Sequence, residues 1–140
     1  MMRSIVTAGV VALALSGALY AASAASPGAD VPIANPPATQ AKTIVGDSRK
    51  PGFYIIRTFI PAGGLSTPHH HNQDRHIAIL SGTLYVCNTK VVSVATSVAH
   101  KAGEYFVEPA ESVHCSWARD GAVDYLEFGE GPVTTVREQP

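Results

Sequence analysis

The sequence predicts an all-β fold, and two observations support this prediction. Segments rich in β-branched and aromatic residues recur roughly every 8–12 residues with Gly, Pro or Asn between them, which is typical of a β-sandwich or β-barrel. Beyond the N-terminal region, no long segment shows the apolar period of about 3.6 residues that indicates a helix. A chain of 140 residues has room for one such domain.

The first part of the chain is predicted to lie outside this domain. Arg3, an apolar run over residues 5–20 and the small residues Ala22 to Ala24 form the pattern of a secretory signal peptide, residues 1–24. The run is shorter than the ~20 residues that a bilayer-spanning helix needs. Residues 25–41 contain four prolines among small and polar residues and predict an extended leader. We therefore expect a periplasmic or secreted protein with no membrane association after cleavage.

The charge of the chain argues against two classes of partner. The formal net charge of −1 becomes −2 when residues 1–24 are removed, because Arg3 is their only charged residue. No block of like charges follows. Neither nucleic acid nor an acidic membrane surface is therefore an expected partner.

Residues 42–140 are predicted to form the folded domain. The segment 53–60 is so apolar, with Arg57 as its single charge, that we expect burial on both faces. Residues 91–100 are ambiguous between a strand and a helical turn. The segments whose composition favours strand are 42–45, 53–60, 74–80, 83–87, 104–108, 113–118, 123–128 and 133–136.

Histidines are concentrated in one stretch, residues 63–82, which holds four of the six. His69 and His71 are two residues apart, so an extended strand points both imidazoles to one face and His70 to the other. A metal needs further ligands from elsewhere in the chain. His114, which follows a short apolar strand and a Pro turn, is a candidate for the second half of such a site.

Two stretches resemble the paired sequence motifs of the cupin superfamily. Gly63, His69, His71 and Gly82 stand in register with the first motif, G-x5-H-x-H-x3,4-E-x6-G. The second motif, G-x5-P-x4-H-x3-N, is matched by three residues at the same spacing: Gly103, Pro109 and His114. The resemblance covers the chain from about residue 42 to its end.

This resemblance implies a fold, a cofactor and partners. The fold is a double-stranded β-helix, or jelly-roll cupin barrel, with one central pocket. His69, His71 and His114 would hold a divalent transition metal, Fe, Mn, Ni, Cu or Zn, and the pocket would take a small molecule. Cupins of this size often pair through their sheets, so a homodimer is expected. The alternative is three unrelated histidines.

The chain departs from the motifs at Arg75, where the first motif has Glu, and at Ala118, where the second has Asn. Arginine cannot ligate a metal, and its charge repels one. Three outcomes are open: Arg75 pairs with Asp74 or Glu127, it binds the carboxylate of a substrate, or the metal site is weak or vacant. Glu127 is also a candidate substrate-binding residue, and the candidates for a base are Glu127, Tyr125 and Glu104.

The remaining histidines and the cysteines carry further hypotheses. His76 follows the Glu position, and a β-bulge would be needed to make it a fourth ligand. His100 is expected to face solvent. By alternation from His114, Cys115 faces outward. The resemblance places its strand beside the one carrying Cys87, so a disulfide is predicted, with two buried thiols as the alternative.

The first functional hypothesis is a metal-dependent oxygenase, isomerase or lyase that acts on a small carboxylated molecule. The second is a protein that binds a small molecule without turnover. The third is a metal-free structural barrel. The sequence identifies no catalytic residue.

Overall fold

A computed structural model describes residues 37–139, which form two five-stranded antiparallel β-sheets. The predicted signal peptide and all but the last few residues of the predicted leader lie outside the described residues. The first sheet has the strand order β1-β2-β9-β4-β7 and the second β10-β3-β8-β5-β6. The strands are β1 (Gln40–Val45), β2 (Gly52–Ile60), β3 (Leu65–His71), β4 (Arg75–Ser81), β5 (Thr83–Cys87), β6 (Ser97–Lys101), β7 (Tyr105–Glu108), β8 (His114–Trp117), β9 (Val123–Gly131) and β10 (Thr135–Arg137).

The prediction of an all-β jelly roll is confirmed. The ambiguous segment 91–100 contains a single 3-10 turn, Val94–Thr96, followed by the start of β6. Strand β1 begins inside the segment that was predicted to be leader. Within residues 37–139, no helix has the length and apolar character needed to cross a membrane.

The chain moves from one sheet to the other at nearly every turn. Only the β1–β2 and β5–β6 connections join strands of the same sheet. Gly82 makes the crossing from β4 to β5 with a φ of +78°, and a Cβ atom there would lie 2.3 Å from the carbonyl oxygen of Ala122. Only glycine fits this turn. Because of this alternation, residues far apart in sequence face each other between the sheets.

The space between the sheets has an apolar part and a polar part. Along β4, the inward side chains run from Arg75 to Ile77 and Ile79, and along β8 from His114 to Ser116. The apolar part is a cluster of eight buried residues, Ile60, Ile77, Ile79, Leu84, Val86, Ala118, Val123 and Tyr125. The polar part is left as a pocket with buried ionisable side chains.

Strand β2 is not buried on both faces, and the prediction of full burial was wrong. Its inward residues Tyr54, Thr58 and Ile60 are at most 3% exposed, whereas Phe53 is 50% and Phe59 38% exposed. Its composition is apolar on both sides because the outer face of this sheet also carries apolar side chains.

Strand β5 is joined to β8 by a disulfide. Cys87 and Cys115 are register partners, their Cα atoms are 5.1 Å apart, and their sulfur atoms are bonded. Alternation does place Cys115 on the opposite face from His114, but both cysteines are fully buried. The disulfide therefore joins the histidine-bearing strand β8 to its neighbour β5 at a position that solvent does not reach.

Loss of this disulfide is expected to lower the free energy of unfolding by about 3–4 kcal/mol, because the bond closes a loop of 28 residues in the unfolded chain. Denaturant unfolding with and without a phosphine reductant measures the effect. A variant with Ser at both positions 87 and 115 is the control, since reductant should leave its midpoint unchanged. Equal midpoints for oxidised and reduced wild-type protein would contradict the expectation.

Candidate metal centre

Three imidazoles meet in the polar part of the barrel. His69 and His71 lie on β3, and His114 begins the neighbouring strand β8, where it is the register partner of His69. All three are buried, with at most 6% of each residue exposed. One ring nitrogen from each lies within 4.8 Å of the others. The histidines named by the two motifs therefore form one cluster.

Backbone carbonyls fix the orientation of all three rings. Nδ1 of His69 lies 2.6 Å from the oxygen of Thr67, and Nδ1 of His114 lies 2.9 Å from that of Ser112. Nδ1 of His71 is 3.1 Å from the oxygen of Thr134. Because a carbonyl only accepts, each Nδ1 carries the proton, and the lone pair of each neutral ring is at Nε2. This is the outer-shell arrangement that orients histidine ligands in metal sites.

The environment keeps two of these rings uncharged. Burial lowers the pKa of His69 to about 4. Burial, followed by the charge of Arg75, lowers the pKa of His71 to about 3. Both imidazoles are neutral at pH 7, which is the form that binds metal.

The cluster fits a metal ion. The Nε2 atoms of His71 and His114 are buried and have no hydrogen-bond partner among residues 37–139. Such orphaned acceptors are costly unless a ligand satisfies them. Two nitrogens bound to one ion at about 2.0–2.1 Å lie about 3–4 Å apart. The ring nitrogens, now within 4.8 Å of one another, would need to approach by only about 1 Å.

Arg75 faces the pocket but is bound by two carboxylates. Its Nε and Nη2 donate to Oε2 of Glu108 at 3.1 and 2.6 Å, and its Nη1 is 3.4 Å from Oε2 of Glu127. Burial opposes the charge of Arg75, but the attraction of Glu127 and Glu108 outweighs it, and the pKa of the guanidinium is raised. The predicted pairing with Glu127 is present, whereas Asp74 instead accepts from the backbone of Ala110.

Sequence reasoning missed Glu108, which places a carboxylate beside the cluster. It is the register partner of Arg75, is 4% exposed, and its Oε2 lies 3.3 Å from Nε2 of His114. That contact is not a hydrogen bond, since this nitrogen has no such partner among the described residues. Glu108 lies two residues after the inward-facing Phe106, so strand alternation could have indicated that Glu108 also faces inward. Its pairing with Arg75 depends on the register of β4 and β7, which could not be read from the sequence.

The other predicted site residues lie elsewhere. His76 is on the outer face, where its ring lies beside those of Tyr105 and Phe128, and the structure does not place it with the clustered histidines. His70 points away from the cluster, with its Nδ1 3.0 Å from a carboxylate oxygen of Glu138.

A cavity of about 480 Å³ leads to the cluster and has room for a small molecule. Its walls include Val86, Phe106, Glu108 and His114. His100, which was expected to face solvent, also lines it and stacks on Phe106 with ring centroids 3.9 Å apart. A slightly larger depression of about 530 Å³ lies beside His76 on the outer face, and none of the clustered histidines lines it.

Comparison with known proteins identifies the fold. The structure is similar to the DMSP lyase DddQ from Ruegeria pomeroyi, with a TM-score of 0.59 and 15% identity over 71% of this chain and 51% of the lyase. A cupin domain from Bordetella pertussis matches with a TM-score of 0.52 and 18% identity over 69% of this chain and 97% of that domain. The chain has a cupin fold.

The cupin fold also occurs in a longer enzyme. A variant of salicylate 1,2-dioxygenase from Pseudoaminobacter salicylatoxidans, solved with gentisate, matches with a TM-score of 0.60 and 15% identity over 73% of this chain and 30% of the enzyme. The chain thus spans about half of the lyase and less than a third of the dioxygenase. No family model and no curated protein sequence matches the chain. At these identities, the similarity establishes the fold and not the activity.

Replacing Arg75 by Met is expected to lower the free energy of unfolding by about 3–5 kcal/mol, because it leaves Glu108 and Glu127 buried without their partner. Arg57→Met is the matched control. Arg57 pairs with Asp124 on the outer face of the same sheet, and its side chain is 56% exposed, so the loss should be at most about 1 kcal/mol. Denaturant unfolding compares the two, and equal losses would show that the buried ion network is not a stability determinant.

Proposed function

We propose that this protein binds a divalent transition metal through His69, His71 and His114. The observation that supports this most directly is the convergence of one ring nitrogen from each histidine, together with the buried Nε2 atoms of His71 and His114, which have no hydrogen-bond partner among residues 37–139. Contacts of the three Nδ1 atoms with backbone carbonyls favour the tautomer that leaves Nε2 free to bind a metal. Imidazole suits Zn, Cu, Fe and Ni, and the metal is therefore drawn from this class or is Mn when a carboxylate joins the set.

We propose further that the pocket takes a small carboxylated molecule. The cavity of about 480 Å³ gives such a molecule a path to the cluster, and Phe106 and Val86 supply an apolar wall that orients it and excludes water. Arg75 is already engaged by Glu108 and Glu127, so the anion is expected at the ion and not at Arg75. The gentisate complex of the dioxygenase shows that one protein of this fold accepts a carboxylate.

A bound ion would supply a Lewis acid or redox centre, and we propose an oxygenase, isomerase or lyase activity on this basis. Glu127 is the candidate acid–base group of the pocket. Burial raises its pKa, and Arg75 opposes that effect. A raised pKa favours a carboxyl group that can hold and release a proton.

Export and pairing are part of the same proposal. The buried Cys87–Cys115 disulfide supports a protein that folds in an oxidising compartment. The intact mass of exported protein should correspond to a chain that begins near Ala25. Exposed apolar side chains on the outer face of the first sheet, including Phe53 and Phe59, support a homodimer through that face. Sedimentation at micromolar concentration measures the oligomeric state.

His114→Ala is expected to weaken metal binding at least 100-fold, because it removes one of three protein ligands. His70→Ala is the matched control, since His70 neighbours two of the ligands in sequence but contacts Glu138 and Glu111. Chelator competition with Zn²⁺ gives both affinities, and the control should remain within about twofold of wild type.

Elemental analysis of protein purified without added metal tests the proposal as a whole. About one equivalent of metal is expected. Equal metal affinities for the two variants would refute the assigned ligands. Absence of metal from both native and reconstituted protein would favour the alternative, a metal-free structural barrel. Metal binding with ligand capture but no turnover would identify a binding protein.

A further inference from the structure

Glu108 and His114 are in contact within the buried part of the barrel. When His114 is neutral, its Nδ1 bears the proton that it donates to the oxygen of Ser112, and its Nε2 presents a lone pair. Oε2 of Glu108, which is also an acceptor, lies 3.3 Å away. In that state two buried acceptors face each other, and they repel unless a cation satisfies both; a protonated His114 would instead donate to Glu108 directly.

The distance matches that expected for two ligands of one ion. With bonds of about 2.0–2.1 Å, neighbouring ligand atoms of a tetrahedral site lie about 3.3–3.4 Å apart. The Glu108–His114 separation of 3.3 Å falls at this value. The carboxylate therefore already stands at ligand spacing from one of the three histidines.

Arg75 holds this carboxylate in place. Arg75 on β4 and Glu108 on β7 are register partners, and both hydrogen bonds from the guanidinium end on Oε2. Ligating carboxylates are commonly hydrogen-bonded by outer-shell partners in this way. Glu127 approaches Arg75 from Nη1, so one positive charge faces two carboxylates.

We propose that Glu108 is the anionic ligand of the metal held by the three histidines, and that Arg75 is the positioning residue that orients it. This inference rests on the metal-binding function proposed above. In the sequence motif, the carboxylate belongs at position 75 on β4. In this chain Arg75 occupies that position, and the proposed carboxylate ligand comes from its register partner Glu108 on β7, which gives a set of three imidazoles and one carboxylate.

Titration of chelator-treated protein with Co²⁺ tests this assignment, with calorimetry for affinity and visible absorption for coordination. Glu108→Gln is expected to weaken binding at least tenfold and to change the Co²⁺ absorption bands, because an anionic oxygen is lost. Glu127→Gln is the matched control, since Glu127 contacts the same arginine but not His114. It should change the affinity less than threefold and leave the bands unchanged.

A double-mutant cycle tests the role of Arg75. Arg75→Gln should weaken Co²⁺ binding about 10–100-fold in the wild-type background, as expected for an outer-shell partner. In the Glu108→Gln background it should have little further effect, because Arg75 acts through Glu108. The double variant also removes both charges of the pair, so it serves as the test protein if Glu108→Gln alone fails to fold.

The outcomes separate the two proposals. Wild-type Co²⁺ affinity and spectrum in Glu108→Gln, or in the double variant, would overturn the ligand assignment while the three-histidine site stands. Additive effects of the two substitutions would overturn the positioning role of Arg75. Failure of the wild-type protein to bind Co²⁺, Zn²⁺ or Fe²⁺ would overturn the metal-binding function and this assignment together.

Discussion

The buried contact between Arg75 and Glu108 determines how the interior of this barrel is divided. Removing two charges from water costs several kcal/mol per ion, and only close pairing with good geometry compensates for it. Here the compensation comes from two hydrogen bonds to Glu108 and a contact with Glu127. These groups occupy a part of the barrel that apolar side chains would otherwise fill, and of the three charged residues Glu108 also lines the cavity.

The jelly-roll path makes this arrangement possible. The histidines lie on the second sheet, while Arg75, Glu108 and Glu127 lie on β4, β7 and β9 of the first. Each sheet alone presents groups of one kind, either imidazoles or charged side chains. The crossings between sheets bring the two kinds face to face, and the carbonyls of Thr67, Ser112 and Thr134 fix the rings from outside the pocket.

The sequence predicted the parts of the structure that depend on local pattern. Strand recurrence predicted an all-β fold, and the resemblance to the two cupin motifs implied the jelly roll and the cluster of His69, His71 and His114. The disulfide also followed the predicted neighbour relation of β5 and β8. The contribution of Glu108 could not be predicted, because it depends on the β4–β7 register, and a shift of one residue would turn its side chain outward. Burial of β2 was overestimated because composition does not distinguish a core face from an apolar surface face.

The division of the site between the two sheets has a mechanical consequence. At the apolar end, the sheets are held together by the packed cluster around Ile77 and Leu84. At the other end, side chains of opposite sheets meet across polar groups, and an ion bound to both Glu108 and the histidines would be a clamp across that opening. Occupancy by an ion would therefore be expected to raise the free energy needed to separate the two sheets at that end.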